Sequence, residues 1–187
     1  MGPRSYLVSW RRIKEVVKKY GIEDTEEAIE QYFDYGEKAS LDSLAKLPKG
    51  TFHGEDFLDD GKKIQVDITI TDKEFIVDFK NNPPQYPNAN NASFDWIYVA
   101  AQMAFKNATT MTRIANAGFF RPLKVYAEEG SMFNPLRPAA QGLYYETDIR
   151  AYDLLLKTIA QIVPEKMIAG TFASVCGTIM AGVHPDT

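Results

Sequence analysis

The first 48 residues carry large apolar side chains at helical spacing. They recur at intervals of four, three, four and three, which aligns them on one helical face. Gly21 is expected to end this helix, and Asp24 with Glu27 resembles a capping box that starts a second one. We predict that residues 1–48 form a helical hairpin packed through apolar faces. The first face consists of Tyr6, Trp10, Ile13, Val17 and Tyr20.

Between residues 51 and 80 the apolar period changes to two. Apolar and polar residues alternate, as on a strand with one buried face. A turn signal at 59–61 precedes the alternation, and residues 51–58 are long enough for a further strand. We therefore predict an antiparallel β-meander of two or three strands. Its inward positions are Ile64, Val66, Ile68, Ile70, Phe75, Val77 and Phe79.

Residues 81–146 are predicted to be loops that contain one helix and one short strand. The segment 81–93 is polar, rich in asparagine and proline, and of a length that is often functional. Ser93 is placed to cap a helix that begins at Phe94. A Gly- and Pro-punctuated stretch follows, with a short strand at 123–126.

Residues 147–182 again follow a helical period. Thr147 is placed to cap a helix with apolar positions at Tyr152, Leu155, Ile159 and Ile162. Pro164 breaks this pattern and is predicted to open a last helix that runs to about Cys176. Helices, then strands, then helices define an α+β fold, and we expect residues 1–187 to form a single domain.

Composition excludes several classes of function. The net charge is −4, which does not favour binding to a nucleic-acid backbone. No apolar run reaches the length of a membrane span, and a single cysteine excludes an internal disulfide. A cytoplasmic location is the simplest expectation.

Few standard catalytic motifs are present. The sequence contains neither a Gly-x-x-x-x-Gly-Lys-Ser/Thr loop nor a Gly-x-Gly-x-x-Gly turn. The two histidines, His53 and His184, lie far apart and outside any ligand-spaced cluster, so no metal site is predicted. Cys176 lies among residues typical of a helix interior, which does not favour a reactive thiol.

Other polar side chains are better candidates. Asp78 ends a strand beside the polar loop, where it could act as a general base or be a solvated residue that bonds the loop. Asn88, Asn90 and Asn91 could bind an amide, although asparagine is also common in turns. Arg121 could fork onto a carboxylate or phosphate, or equally brace its own loop.

Two stretches, in this order, resemble a known family. Residues 47–61 read Leu-Pro-Lys-Gly-Thr-Phe-His-Gly-Glu-Asp-Phe-Leu-Asp-Asp-Gly and lead to Ile-Val-Asp-Phe at 76–79. Residues 116–140 contain Asn-Ala-Gly-Phe-Phe-Arg-Pro, then Gly-Ser, Asn-Pro and Pro-Ala elements. From about Tyr20 onward the chain resembles the middle of hydantoinase B/oxoprolinase subunits.

The resemblance implies part of the B-type subunit of an ATP-dependent hydrolase of cyclic amides such as hydantoins and 5-oxoproline, incomplete as a catalyst alone. It implies a hetero-oligomer with a hydantoinase A-like subunit that binds ATP and phosphorylates the substrate carbonyl. ATP and a divalent metal belong to the full assembly, and we predict neither on this segment. The candidate catalytic residues are Asp78 and Arg121, and the candidate substrate-binding residues are Asn88, Asn90 and Asn116.

The chain also departs from the family pattern. Lys80-Asn81 stand where the family commonly has a Ser/Thr-Gly pair. The family's upstream metal-binding elements and downstream Gly-rich elements are not in these residues, which implies a fragment or one part of a split subunit. Two alternatives remain: a segment of an ATP-dependent ketone (acetone or acetophenone) carboxylase, and a non-catalytic scaffold module.

Overall fold

A computed structural model describes residues 3–109, 115–170, 172, 174–175 and 182. Its elements follow the predicted order of helices, strands and helices, which confirms the α+β class. None of the helices in these residues is both long and apolar enough to cross a bilayer. The helices are α1 (Pro3–Tyr20), α2 (Ile22–Leu44), α3 (Phe94–Thr109) and α4 (Tyr144–Ile159), and the strands are β1 (Gly50–Phe57), β2 (Lys63–Ile70), β3 (Phe75–Phe79) and β4 (Leu123–Ala127).

The four strands form one mixed sheet in the order β1-β2-β3-β4. The first three are antiparallel, so the predicted meander is confirmed. β4 was predicted as a strand, but its partner was not: it pairs in parallel with β3, from Phe75 opposite Leu123 to Phe79 opposite Ala127. The connection between these two strands contains α3.

One face of the sheet supplies the core. All seven inward positions predicted from the alternation in β2 and β3 are buried. The ring of Phe105 in α3 packs edge-on against that of Phe75, with 5.2 Å between the ring centroids. The ring centroids of Phe133 and Phe79 are 5.0 Å apart. Gly54 of β1 lets α4 approach the sheet, because a Cβ there would overlap the side chain of Thr158. Because α4 packs closely along β1, the β1–β2 turn lies close to the start of α4.

The prediction that α1 and α2 bury their apolar stripes against each other is wrong. Only Gly21, at φ 88°, separates the two helices, whereas an antiparallel helical hairpin needs a loop of roughly two to five residues. The α1 stripe is therefore exposed, with Tyr6 at 74%, Trp10 at 49% and Ile13 at 56%. The far end of α2 does join the core, through the buried Leu44.

The predicted start of α2 also needs correction. The helix begins at Ile22, with Gly21 in the N-cap position and no side-chain cap. Thr25 donates a 2.6 Å hydrogen bond back to the Gly21 carbonyl. Asp24 and Glu27 therefore lie within the first turns and do not form the expected capping box.

The C-terminal helices have other bounds than the sequence pattern indicated, and the last one is shorter. α4 begins at Tyr144, so Thr147 lies inside its first turn rather than at the cap. Pro164 opens only the 3-10 turn Pro164–Lys166, and residues 167–170 are not helical. Cys176, the predicted end of the last helix, lies outside the described residues.

Candidate functional site

A cleft of about 660 Å³ lies where three segments meet: the β1–β2 turn, the asparagine-rich loop 81–93 and the first turns of α4. We call it the Asn cleft. Its volume falls in the range of roughly 300–1,000 Å³ that is usual for small-molecule sites. The lining residues are Leu58, Asp59, Asp60, Tyr86, Asn88, Asn90, Met132, Leu143, Glu146, Thr147, Arg150, Phe172 and Ser174.

Asn91 gives the loop its shape. Its side chain is fully buried; Oδ1 accepts a 2.7 Å bond from the Tyr86 N–H. Its Nδ2 donates to the carbonyls of Tyr86 at 3.1 Å, Asn88 at 3.0 Å and Ala140 at 2.9 Å. The amide that sequence reasoning considered for substrate binding is thus used inside the protein, where it ties the loop to the segment before α4.

Asn88 and Asn90 lie on the cleft side of the same loop. The side chain of Asn88 accepts the Asn90 N–H at 3.0 Å, which is ordinary turn chemistry. The Asn90 carbonyl accepts a 3.0 Å bond from Thr147 of α4. Asn90 Oδ1 is buried, yet no described residue donates a hydrogen bond to it. A buried acceptor of this kind costs free energy and can receive a ligand N–H or O–H.

A charged wall flanks the asparagines. Tyr86 donates its hydroxyl to Asp60 Oδ2 at 2.8 Å, and Lys62 Nζ lies 2.9 Å from the same oxygen and 3.9 Å from the Tyr86 ring centroid. Hydrogen bonds, of which the one from the Lys62 side chain has the largest effect, lower the pKa of Asp60 to about 2. Burial, and then the bond to Asp60, raises the pKa of Tyr86. This side of the cleft therefore combines the ionised carboxylate of Asp60 with the protonated phenol of Tyr86.

Sequence reasoning did not find Asp60 or Tyr86 as site residues. It took residues 59–61 as a turn signal, which they are, and gave Tyr86 no role. The two residues are 26 positions apart, and only the folded meander brings them together. An aspartate in a tight turn opposite a long polar loop is the one local signal that could have indicated the pair.

Arg150 of α4 braces the floor of the cleft. Its Nη2 donates to the Phe57 carbonyl at 2.7 Å and lies 3.3 Å from Asp56 Oδ2. Lys157 contacts the same carboxylate at 2.6 Å. Burial raises the pKa of Asp56, but the hydrogen bond from Lys157 and the nearby cations outweigh it and hold that pKa below its ordinary value. These contacts fix α4 against the end of β1.

The other candidates from the sequence do not line the Asn cleft. Arg121 contacts Asp34 at 2.7 Å, Glu37 at 2.8 Å and Glu30 at 3.2 Å, all on α2. The hydrogen bonds that Arg121 donates to Glu37 and, to a smaller extent, to Asp34 raise the pKa of Arg121. Arg121 thus contacts carboxylates within the protein and holds its own loop against α2.

Asn116 and Asp78 are likewise engaged within the fold. Asn116 Nδ2 donates to the Tyr32 carbonyl at 2.7 Å, and its Oδ1 accepts the Phe119 N–H at 2.9 Å. Asp78 lies 2.9 Å from Lys80 Nζ and accepts the Lys80 N–H at 3.1 Å. The structure therefore brings together two of the five candidates, Asn88 and Asn90, and places the other three elsewhere.

The described residues offer no arrangement for the divalent metal that the resemblance implied. They contain no group of three or more His, Cys, Asp or Glu that could hold an ion. His53 lies 2.8 Å from Asp67 and 3.7 Å from Glu55 on the exposed side of the sheet, which makes an ordinary surface pair. No step is therefore assigned to a metal on these residues.

Asp148, close to the cleft on α4, provides a pH-dependent test of the fold. Burial raises its pKa from 3.8 to about 6, and no residue in the described part of the chain donates a hydrogen bond to its buried Oδ1. Asp148 loses its proton at a lower pH in the unfolded chain than in the folded one. The free energy of unfolding therefore falls as the pH rises from about 4 to 6. After allowance for partial solvation, Asp148→Asn should raise the free energy of unfolding by about 1 kcal/mol at pH 7.5 and leave it unchanged at pH 4.

Urea unfolding of both proteins at the two pH values measures this difference. Asp42→Asn, which changes an exposed carboxylate on α2, is the matched control. An equal gain from Asp148→Asn at both pH values would contradict the assignment to a buried carboxyl.

The fold and the ordered motifs define a class of protein. The family model of hydantoinase B/oxoprolinase matches residues 5–187, and the chain belongs to that family. This confirms the resemblance inferred from the two motif stretches and extends it across nearly the whole chain.

Two relatives show how much of a family member is represented. The chain is 29% identical over 182 residues to the putative B-type subunit of a D-/L-hydantoinase from Pseudomonas sp. strain NS671, covering 86% of this chain and 30% of that protein. It is 27% identical over 182 residues to an uncharacterized protein of Methanocaldococcus jannaschii, covering 95% of this chain and 32% of that protein. The chain thus spans about a third of the length of these relatives.

Solved structures share the fold. The ATP-dependent caprolactamase from Pseudomonas jessenii superposes with a TM-score of 0.73 at 22% identity, over 85% of this chain and 29% of that chain. A nucleotide-free acetone carboxylase superposes with a TM-score of 0.66 at 19% identity, over 86% of this chain and 24% of that chain. One fold therefore occurs in an enzyme named for a lactam and in an enzyme named for a ketone.

Proposed function

We propose that this chain forms part of the B-type subunit of an ATP-dependent hydrolase of cyclic amides, of the hydantoin or 5-oxoproline kind, and does not catalyse alone. The observation that carries the proposal is the family match across residues 5–187. The naming of one relative as a hydantoinase subunit and an ATP-dependent lactamase among the structural neighbours support it. The partner is a hydantoinase A-like subunit that binds ATP.

The Asn cleft is the place where this chain would meet the substrate. A stable lactam becomes far more electrophilic when its carbonyl oxygen is phosphorylated, which explains a need for ATP in the assembly. The lactam N–H is a hydrogen-bond donor, and the buried Asn90 Oδ1 is an acceptor without a described donor. Asn88 fixes the backbone beneath Asn90, so the pair would orient the ring.

Asp78 and Arg121 remain candidate catalytic residues only if another polypeptide brings reacting atoms to them. Each already has charged partners, Lys80 for Asp78 and three carboxylates of α2 for Arg121. Their substitution separates the two parts of the proposal. Loss of chemistry with unchanged folding would support a direct role, and loss of folding would support a brace.

The assembly itself is tested by tagging this chain in its source cells and identifying what co-purifies. Phosphate release from ATP is then measured with hydantoin, with 5-oxoproline, and with acetone plus bicarbonate. We expect an ATP-binding partner and turnover stimulated by a cyclic amide. Stimulation by acetone and bicarbonate alone would favour the carboxylase function that the second structural neighbour suggests. A partner without either stimulation would favour a scaffold.

Asn90→Ala is predicted to raise the KM for the cyclic amide about tenfold in the captured assembly, because one hydrogen bond to a buried acceptor is lost. The kcat should change less, since the bond is present before and during the reaction. The matched control is Asn81→Ala, which changes an asparagine outside the lining of the cleft. Equal kinetics for Asn90→Ala and the unchanged protein would remove Asn90 from the site.

A further inference from the structure

Helices α1 and α2 expose an apolar surface that no other described part of the chain covers. More than half of the large apolar side chains that are exposed in the described residues belong to these two helices. Between the helices lies a groove of about 750 Å³. Its apolar lining is formed by Ile13, Val16 and Tyr20 of α1 and by Ala28, Ile29 and Tyr32 of α2.

The two helices do not close this groove against each other in the described residues. The single residue Gly21 connects the helices, and an antiparallel pair needs a loop of roughly two to five residues. α1 therefore lies at an angle to α2, and within the described part of the chain the apolar stripes of the two helices can be buried only by a binding partner. Eleven large apolar side chains are exposed on the two helices, and six apolar residues line the groove between them, which gives a partner an extended apolar contact.

The two helices have opposite charges near the elbow at Gly21. The second half of α1 is mainly basic, with one acidic residue, Glu15, which pairs with Arg12 at 2.8 Å. The first half of α2 is acidic, and these side chains are exposed. Arg121 already contacts Glu30, Asp34 and Glu37 farther along α2, which leaves the acidic first turns available to another partner. The basic residues are Arg11, Arg12, Lys14, Lys18 and Lys19, and the acidic ones are Glu23, Asp24, Glu26 and Glu27.

We propose that this surface binds a second copy of the same chain, with α1 of each copy packed antiparallel on α2 of the other. An antiparallel arrangement sets the basic end of α1 beside the acidic start of the other copy's α2. A two-fold axis makes both contacts at once, as in other isologous dimers. Each antiparallel contact between α1 of one copy and α2 of the other then buries the apolar stripes of those two helices.

Helix dipoles agree with this pairing. Lys18 and Lys19 lie in the last turn of α1, and Glu23 and Asp24 in the first turn of α2. These charges stabilise their own helix ends, so the pairing does not require either helix to carry unfavourable charge. The proposal is independent of the cyclic-amide reaction, since it uses no residue that lines the Asn cleft.

A charge-swap experiment tests the dimer on the whole chain. One variant reverses α1, and the other reverses α2. Each variant alone should be monomeric, with the dimer dissociation constant raised at least tenfold, because its two faces carry the same sign. Mixing them should restore a heterodimer, since each face then meets its opposite. The substitutions are Arg11→Glu, Lys14→Glu and Lys18→Glu in the first variant and Glu23→Lys, Glu26→Lys and Glu27→Lys in the second.

Sedimentation velocity over a range of concentrations reads out the assembly, and far-UV circular dichroism checks that the helices persist. Ile13→Glu should abolish the dimer through the apolar groove, whereas Leu136→Glu, at a distant exposed apolar position, should leave it unchanged. A monomeric starting protein, a charge-reversed variant that still dimerises, or a mixture that stays monomeric would each overturn the proposal. Binding only to a longer B-type polypeptide would overturn it as well.

Discussion

Replacing Gly118 with alanine is expected to destabilise the chain by about 4 kcal/mol, or roughly 10 °C in Tm. Gly118 is buried at the start of the 3-10 turn Gly118–Phe120. A Cβ at this position would overlap the backbone carbonyl of Phe33 on α2. Backbone cannot move aside as a side chain can, so α2 must shift, and the Arg121 contacts to α2 shift with it.

Thermal unfolding followed by circular dichroism measures this loss. Gly142→Ala is the matched control, because a Cβ there would lie 3.7 Å from Ala89, an ordinary contact. The control should change Tm by little. If Gly118→Ala unfolded at the same temperature as the control, α2 would not depend on the close approach at Gly118.

The second large effect is expected at Asn91. Asn91→Ala should cost about 3 kcal/mol, because it removes a buried amide that bonds four backbone groups and leaves those groups without this partner. These are the Tyr86 N–H and the carbonyls of Tyr86, Asn88 and Ala140. Loop 81–93 should loosen before the core does, since the sheet does not depend on the bonds of Asn91.

Hydrogen exchange of the loop amides, together with the midpoint of urea unfolding, measures both parts of this effect. Asn88→Ala is the control, because among the described residues that side chain bonds only the nearby Asn90 N–H. Its cost should be below about 1 kcal/mol. Similar losses for the two variants would show that the buried amide is not the anchor of the loop.

The parts of the fold found from the sequence are those that depend on local periodicity. The alternation from Ile64 to Ile70 predicted β2 and its buried face, since a period of two leaves little choice of register. The helix that begins at Phe94 was found from its cap and its spacing. The parallel partner of β4 was not found, because nothing in residues 123–126 indicates which strand they pair with.

The site shows the same limit. Asn88, Asn90 and Asn91 were considered together because they lie in one polar loop, but the Asn91 side chain points inward and bonds the backbone. Neighbouring residues of one type cannot be ranked by sequence when burial decides their role. Arg121 and Asn116 were nominated from a motif, and their contacts with α2 depend on packing between segments more than 80 residues apart.

The parallel pairing of β3 and β4 also determines the order in which the strands of the sheet can form during synthesis. β1, β2 and β3 can form their hairpins as soon as they are synthesised, whereas the fourth strand ends at Ala127, beyond α3 and the long loop. Until β4 arrives, β3 is an open edge that carries Phe75, Val77 and Phe79. Non-local pairing of this kind forms slowly. A nascent or refolding chain is therefore most prone to aggregate in the interval before β4 docks.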